Sequence, residues 1–196
     1  MTPEPIALFD LDGTLADFDS SMRRHMAALA GPGETQSYFV EQEGEPAYIT
    51  YRRRMVKRQP GFWRDLMPLT LGFGLLAKAL DLGFKVNILT KAPRTNFPAW
   101  AEKVEWCHKN LPMAEHDIQI NLVEDKGLVY GKVLVDDYPP YIERWLKWRP
   151  RGLVLMPAQE WNAGYRFGGP NVRRVEQGVL LSEAFKALEE VREECR

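Results

Sequence analysis

Two aspartates one residue apart, Asp10 and Asp12, follow an apolar run near the start of the chain and are the first candidates for chemistry. The run at residues 6–9 has the composition of a buried strand, so the sequence DLDGT places charge where that strand ends. Two carboxylates on one strand face repel each other, and this costs stability unless a cation or an incoming phosphate complex compensates. The pair therefore indicates a charged site with a chemical task.

Further polar residues end three later strands that the sequence predicts. Thr90 and Lys91 end the second strand, Lys126 follows the third, and Asp136 and Asp137 end the fourth. Ligands of an open parallel sheet bind at the carboxyl ends of its strands, so we expect these side chains to meet. Their types suit phosphoryl transfer: a carboxylate nucleophile, a hydroxyl and an ammonium for phosphoryl oxygens, and carboxylates for Mg²⁺.

Other catalytic arrangements find little support in the sequence. The three histidines fall in helical or loop segments away from strand ends, and we assign them no catalytic role: His25, His108 and His116. The two cysteines, Cys107 and Cys195, offer no disulfide framework and no Cys-rich metal site, which fits a reducing cytosol.

The elements that must position these residues alternate along the chain. Four more apolar runs predict strands buried on both faces, at residues 85–90, 118–123, 133–135 and 153–156. Helices are predicted at residues 71–82, 99–109 and 141–148, and from an N-cap at Ser182 through residue 194. This alternation predicts an α/β fold built on a doubly wound parallel sheet. The Gly- and aromatic-rich loop at 161–170 receives no role.

Residues 18–67 break the alternation, since they show two helix-like stretches, 20–29 and 46–58, and no convincing strand. We interpret them as a small helical cap inserted after the first strand, with residues 1–17 and 68–196 forming the core. The basic run at 52–58 is typical of a solvated helix face, and it is the one hint of a polynucleotide substrate.

Composition bounds the class of protein. A chain of 196 residues that is 45% hydrophobic can bury one α/β core and carry an insertion. A net charge of -1 argues against a surface for nucleic acids and favours a small-molecule partner. No stretch approaches the roughly 20 apolar residues of a membrane span, and no export signal is seen. We expect a cytoplasmic protein and leave a homodimer open.

The ordered set of candidate residues resembles a known superfamily. Asp10 to Thr14, Thr90, Lys126 and the Asp136-Asp137 pair are similar to the four motifs of the haloacid dehalogenase superfamily. Within it, four stretches resemble the 5'(3')-deoxyribonucleotidase family: residues 10–18 (DLDGTLADF), 61–69 (GFWRDLMPL), 125–126 (DK) and 133–139 (VLVDDYP).

The resemblance implies a Mg²⁺-dependent phosphatase. Asp10 would attack phosphorus to form an aspartyl-phosphate, and Asp12 would serve as general acid and then as general base. Mg²⁺ would be held by the Asp10 carboxylate, the Asp12 main-chain carbonyl and the Asp136-Asp137 pair. In that pair the resemblance favours Asp137 as direct ligand and Asp136 as the orienting residue.

The resemblance also implies substrate contacts. Thr90 and Lys126 would take phosphoryl oxygens, and Lys91 stands where relatives often carry a small hydroxyl residue. Phe18 and Trp63 match aromatic positions that line a nucleoside pocket, and aromatic rings stack on bases with little base preference. The alternative for both rings is that they pack the cap onto the core.

We therefore expect hydrolysis of nucleoside (deoxy)monophosphates to nucleoside and phosphate. The alternatives are a phosphatase for another small phosphoester or a nucleic-acid 3'-phosphate end, a non-catalytic phospho-receiver, and a nucleotide-binding regulator. In a receiver the acid pair ends the first strand and the phosphorylated aspartate stands alone on a middle strand, whereas here the tandem aspartates come last.

Overall fold

A six-stranded parallel sheet forms the centre of the computed structural model, which describes residues 4–34, 45–91, 93–167 and 171–195. The spatial order is β3-β2-β1-β4-β5-β6, and each neighbouring pair is parallel. The strands are β1 Ile6–Phe9, β2 Lys85–Thr90, β3 Gln119–Leu122, β4 Val133–Val135, β5 Leu153–Pro157 and β6 Val172–Val175. The predicted doubly wound α/β fold is confirmed.

Six helices accompany the sheet in the described part of the chain: α1 Phe18–Ala28, α2 Ala47–Val56, α3 Thr70–Asp81, α4 Phe97–Asn110, α5 Pro139–Leu146 and α6 Val179–Glu194. None of these helices is both long enough and apolar enough to cross a membrane.

Alternate residues of each central strand point to opposite faces, and each face has its own apolar cluster. In β1, Ala7 and Phe9 join one cluster with residues of α3, α4 and α6, while Leu8 joins the other with Ile142 and Trp145 of α5. The sheet is therefore covered on both faces, which holds the carboxyl ends of its strands in fixed register.

Three sequence expectations differ from the structure. β6 was not predicted, because its sequence VRRV carries two arginines and reads as polar. Helix α6 begins at Val179 after Gly178, whose φ of 87° marks the turn, so Ser182 lies inside the helix and is not its N-cap. β3 is partly exposed along its length, because it is an edge strand with a neighbour on one side alone.

The chain leaves the sheet and returns to it at adjacent points. The amide of Asp17 donates to the carbonyl of Met67 at 2.7 Å, and the amide of Leu69 donates to the carbonyl of Leu15 at 2.8 Å. Between these points, α1 and α2 pack on each other, and their side chains extend the first apolar cluster. The two ends of segment 18–67 thus lie side by side, next to the loop that follows β1.

Candidate functional site

Three aspartates gather where the two central strands end. β1 and β4 are paired neighbours, and Asp10 follows the first while Asp136 and Asp137 follow the second. One carboxylate oxygen from each of the three lies within 4.8 Å of the others, and all three residues are buried. The sheet register alone brings these acids together, as the sequence predicted.

Lys126 is the cation of this cluster. It begins a short 3₁₀ turn after β3, and its Nζ lies 2.7 Å from Asp10 Oδ1 and 2.7 Å from Asp136 Oδ2. Burial by itself would lower the pKa of Lys126, but the two carboxylates outweigh burial and raise it. The lysine is therefore charged, and its ammonium also lies over the ring of Tyr141, 4.7 Å from the centroid.

The Asp137 carboxylate is held on both oxygens. Thr14 Oγ1 donates to Oδ1 at 3.0 Å, and the indole Nε1 of Trp161 donates to Oδ2 at 3.0 Å. Gly13, with φ of 79°, passes so close that a Cβ there would lie 2.5 Å from Asp137 Oδ2. A side chain at position 13 would therefore displace the carboxylate as well as strain the backbone.

The charges of the cluster do not balance. Burial raises the pKa of Asp137, and the nearby Asp10 and Asp136 raise it further. The pKa of Asp136 is also raised, because burial outweighs the attraction of Lys126. The cluster therefore has three buried carboxylates and one ammonium, that of Lys126. Carboxylate oxygens are the ligands that a hard divalent cation such as Mg²⁺ prefers, so the cluster is chemically suited to bind one.

Asp12 faces a second lysine, Lys103, which sequence reasoning missed. The Lys103 ammonium pairs with Asp12, donates at 3.0 Å to both Thr90 Oγ1 and the Lys91 carbonyl, and lies 4.6 Å from the ring centroid of Trp63. Burial raises the pKa of Asp12, and this effect exceeds the lowering by Lys103. Within the part of the chain that is described, Asp12 Oδ1 has no hydrogen-bond partner.

A sequence signal for Lys103 does exist. Lys103 is fully buried in α4, and residues four before, three after and four after it are buried and apolar: Ala99, Trp106 and Cys107. A charged residue on the apolar face of a helix needs a partner, so this spacing could have directed attention to it.

The two residues that end β2 take different places. Lys91 lies on the pocket wall, with its Nζ 5.4 Å from the centroid of Tyr141. Thr90 is fully buried beneath Lys103 and is not among the described residues that line the pocket. The structure therefore brings Lys91 to the candidate substrate space and sets Thr90 behind it.

The site opens into a pocket of about 530 Å³, a volume suited to a small organic molecule. Asp10, Asp12 and Asp137 contribute to its lining, and Phe18 and Trp63 form part of its wall. These two rings stack at 5.4 Å between centroids with an interplanar angle of 25°. Phe62 meets both rings edge-on and is 3% exposed, so it packs behind them.

A second feature that sequence reasoning missed is the 3₁₀ turn Glu160–Asn162 after β5. The side-chain amide of Gln159 donates at 2.6 Å to the carbonyl of Gly13, and Trp161 reaches both the pocket and Asp137. The aromatic residue in a polar loop was the available signal, but nothing in the sequence says which strand end the loop approaches. The described part of loop 161–170 thus reaches the site.

Comparisons with known proteins agree on one family. A model described as "5' nucleotidase, deoxy (Pyrimidine), cytosolic type C protein" matches residues 4–160. A Bordetella parapertussis protein, provisionally named as a 5'(3')-deoxyribonucleotidase, is 31% identical over 140 residues, covering 68% of this chain and 74% of the relative. The human cytosolic-type 5'(3')-deoxyribonucleotidase is 27% identical over 139 residues, covering 66% and 69%.

Solved structures share the fold. A haloacid dehalogenase-like hydrolase of Burkholderia xenovorans aligns with a TM-score of 0.54 at 19% identity, covering 96% of this chain and 99% of that chain. A HAD hydrolase of Bacillus subtilis bound to magnesium aligns with a TM-score of 0.55 at 13% identity, covering 94% and 98%. At these identities the likeness concerns the fold.

Proposed function

We propose that this chain, which belongs to the 5' nucleotidase, deoxy (pyrimidine), cytosolic type C family and is a phosphatase, hydrolyses nucleoside (deoxy)monophosphates to nucleoside and phosphate. One observation carries the proposal: the pocket that contains Asp10 and Asp12 also contains the stacked pair Phe18 and Trp63. A phosphomonoester at the acids would place an attached nucleoside within reach of aromatic rings, which stack on bases.

In the first half of the reaction, an oxygen of Asp10 attacks phosphorus and the bond from phosphorus to the ester oxygen breaks. Asp12 gives its proton to the departing oxygen, so the nucleoside leaves as an alcohol and Asp10 carries the phosphoryl group. Asp12 suits this task because burial raises its pKa and Oδ1 has no partner among the described residues. Lys103 holds the carboxylate in place through the ion pair.

In the second half, the Asp12 carboxylate takes a proton from water as that water attacks phosphorus. The bond from phosphorus to Asp10 breaks, phosphate leaves, and Asp10 and Asp12 return to their starting states. We assign Lys126 and Lys91 to the phosphoryl oxygens. The Thr90 hydroxyl accepts from Lys103 and keeps its own proton, which we propose it donates to a phosphoryl oxygen.

The residues present fit a magnesium ion. The carboxylates of Asp10 and Asp137 and the main-chain carbonyl of Asp12 would hold it, while Asp136 orients the site through Lys126. A bound Mg²⁺ supplies positive charge that offsets the repulsion between the carboxylates and a dianionic substrate.

Residues 18–67 form the cap in this proposal, with residues 1–17 and 68–196 as the catalytic core. Phe18 and Trp63 stand near the two ends of the cap, so both rings reach the pocket from the junction with the core. We also propose a cytoplasmic location, in line with the name of the human relative. The homodimer left open by the sequence stays a prediction for light scattering to decide.

The test is phosphate release from deoxy- and ribonucleoside monophosphates, with Mg²⁺ or with EDTA. We expect Mg²⁺-dependent turnover that Asp10→Asn abolishes, because an amide is a poor nucleophile. The matched control is Asp81→Asn, which makes the same change at an exposed aspartate at the end of α3. If the protein releases no phosphate from nucleotides but cleaves p-nitrophenyl phosphate, the proposed nucleotide substrate is rejected and the phosphatase activity stands.

A phosphorylated oligonucleotide belongs in the same panel as the second substrate class. The basic run at 52–58 motivated this alternative, yet Arg52 pairs with Glu34 at 2.6 Å and Arg53 is buried in a pair with Glu45. Two of its cations are therefore already engaged with acids of this chain, which favours the mononucleotide.

A further inference from the structure

Four consecutive residues, Gln159 to Asn162, each make a contact with a part of the molecule outside their own turn. Gln159 donates to the carbonyl of Gly13 in the loop after β1, and Glu160 pairs at 2.8 Å with Arg23 of α1. Trp161 donates to the side chain of Asp137, and Asn162 donates to its backbone carbonyl at 2.9 Å. A turn that serves only to connect β5 with β6 would not need four such contacts.

The turn is anchored from beneath by Asn162, which is fully buried. Its Nδ2 also donates to the Pro157 carbonyl at 2.8 Å, and its Oδ1 accepts from the amide of Gln159 at 3.0 Å and from Arg174 Nε at 3.1 Å. Every polar atom of the Asn162 amide group is engaged in this way. The indole of the adjacent residue, Trp161, is therefore held at a defined place relative to Asp137.

The donor chemistry of an indole suits this place. Nε1–H of Trp161 can donate but cannot accept, so it holds Asp137 Oδ2 without offering a competing ligand atom. Thr14 holds the other oxygen of the same carboxylate. Residues that fix the orientation of a ligating carboxylate tune how well it binds a metal ion.

We propose that Trp161 is a positioning residue for Asp137: its indole N–H fixes the carboxylate in the orientation that binds the divalent cation. This inference rests on the metal-dependent function proposed above. It also gives a role to residues beyond 4–160, the range that the family model matches. Trp161 lies beyond that range, and so do Asn162, which anchors the turn, and its partner Arg174 of β6.

The experiment measures Mn²⁺ binding without any substrate, by electron paramagnetic resonance of the free ion. Trp161→Phe keeps an aromatic ring but removes the donor, and we expect its Kd for Mn²⁺ to rise about 10-fold. Trp148→Phe is the matched control, because Trp148 is 66% exposed beyond the end of α5, and we expect its Kd to match that of the wild type. A Kd for Trp161→Phe within twofold of wild type would overturn the proposal.

A second measurement is made on the wild-type protein, and it needs folded variants only to assign one peak. Each of the six tryptophans gives one indole N–H cross-peak in a ¹⁵N correlation spectrum. The Trp161 peak is assigned by its loss in Trp161→Phe, or by eliminating the other five. Saturating Mg²⁺ should shift this peak, and a peak that stays in place would also overturn the proposal.

Neither readout depends on nucleotide chemistry. If the wild type binds Mn²⁺ and Trp161→Phe binds it more weakly while all nucleotides remain uncleaved, the substrate proposal fails and the role of Trp161 stands. If nucleotides are cleaved but the Kd is unchanged in Trp161→Phe, the substrate proposal stands and the role of Trp161 fails.

Discussion

Two buried lysines pair with Asp10 and Asp12, the two aspartates to which we assign catalysis, and they reach them from different kinds of structure. Lys126 lies in a turn at the carboxyl edge of the sheet and pairs with Asp10, while Lys103 lies in the middle of a helix and pairs with Asp12. Each ammonium also sits over an aromatic ring, Tyr141 or Trp63. Unrelated elements therefore give similar environments to the proposed nucleophile, Asp10, and to the proposed general acid, Asp12.

The difference between the two lysines concerns what each one faces. Lys126 bridges two carboxylates of the acidic cluster, so in the proposed mechanism its charge acts on the attack at phosphorus. Lys103 contacts one carboxylate together with a hydroxyl and a backbone carbonyl, so in the proposed mechanism it fixes the position of the proton donor, Asp12. Loss of Lys126 should slow the hydrolysis of every substrate. Loss of Lys103 should slow the hydrolysis of those substrates whose leaving group needs a proton.

Among the variants that compare the two lysines, the largest expected effect is that of Lys126→Met. The substitution leaves Asp10 and Asp136 as buried carboxylates without their cation, and we expect kcat/KM to fall about 10²–10³-fold for all phosphomonoesters. Steady-state kinetics on a nucleotide and on p-nitrophenyl phosphate measure this. Lys132→Met is the control at an exposed lysine just before β4. Equal activity of Lys126→Met and Lys132→Met would show that Lys126 has no role in the reaction.

The second largest effect is expected for Lys103→Met, and it should differ between two substrates. A general acid contributes roughly 10²–10⁴-fold, chiefly when the leaving group is a poor one, and mispositioning Asp12 should remove about 10-fold or more of it. We therefore expect a larger loss of kcat with a nucleotide than with p-nitrophenyl phosphate. An equal loss with both substrates would show that Lys103 does not act through Asp12.

The smallest effect is that of Thr90→Val, which removes one acceptor from the Lys103 ammonium and keeps the shape of the side chain. A single hydrogen bond contributes about 1 kcal/mol, so we expect kcat with a nucleotide to fall about fivefold. Because we propose that the Thr90 hydroxyl also donates to a phosphoryl oxygen, we expect this loss to persist in the double variant with Lys103→Met. A loss that vanishes in the double variant would show that Thr90 acts only through the lysine and would overturn that donation.

The same contrast explains what the sequence could predict. Asp10, Lys126, Asp136 and Asp137 follow strands of one parallel sheet, and the ends of such strands meet by the geometry of the fold. Lys103 and Trp161 reach the site through helix packing and through a turn whose anchor lies on β6. Those contacts depend on tertiary neighbours far apart in the chain. The apolar face of α4 marks Lys103 as a lysine that needs a partner, but no local pattern says which residue that partner is.

The placement of the aromatic residues could be predicted from the sequence in part. The sequence placed Phe18 and Trp63 near the site, and the structure puts both on the pocket wall with Phe62 packed behind them. Their ring geometry could not be predicted, because a stacked and an edge-on arrangement of the same residues differ in side-chain rotation alone.

The close approach of Asp17 and Met67, described above as part of the fold, bears on how this architecture can change over evolutionary time. A segment whose two ends are already joined by a hydrogen bond closes a loop across a short gap, whatever its length. Lengthening such a segment adds little to the entropic cost of closure. If residues 18–67 are the cap that we propose, insertions and exchanges in this segment would alter the pocket wall and leave in place the acids that follow the strands of the sheet.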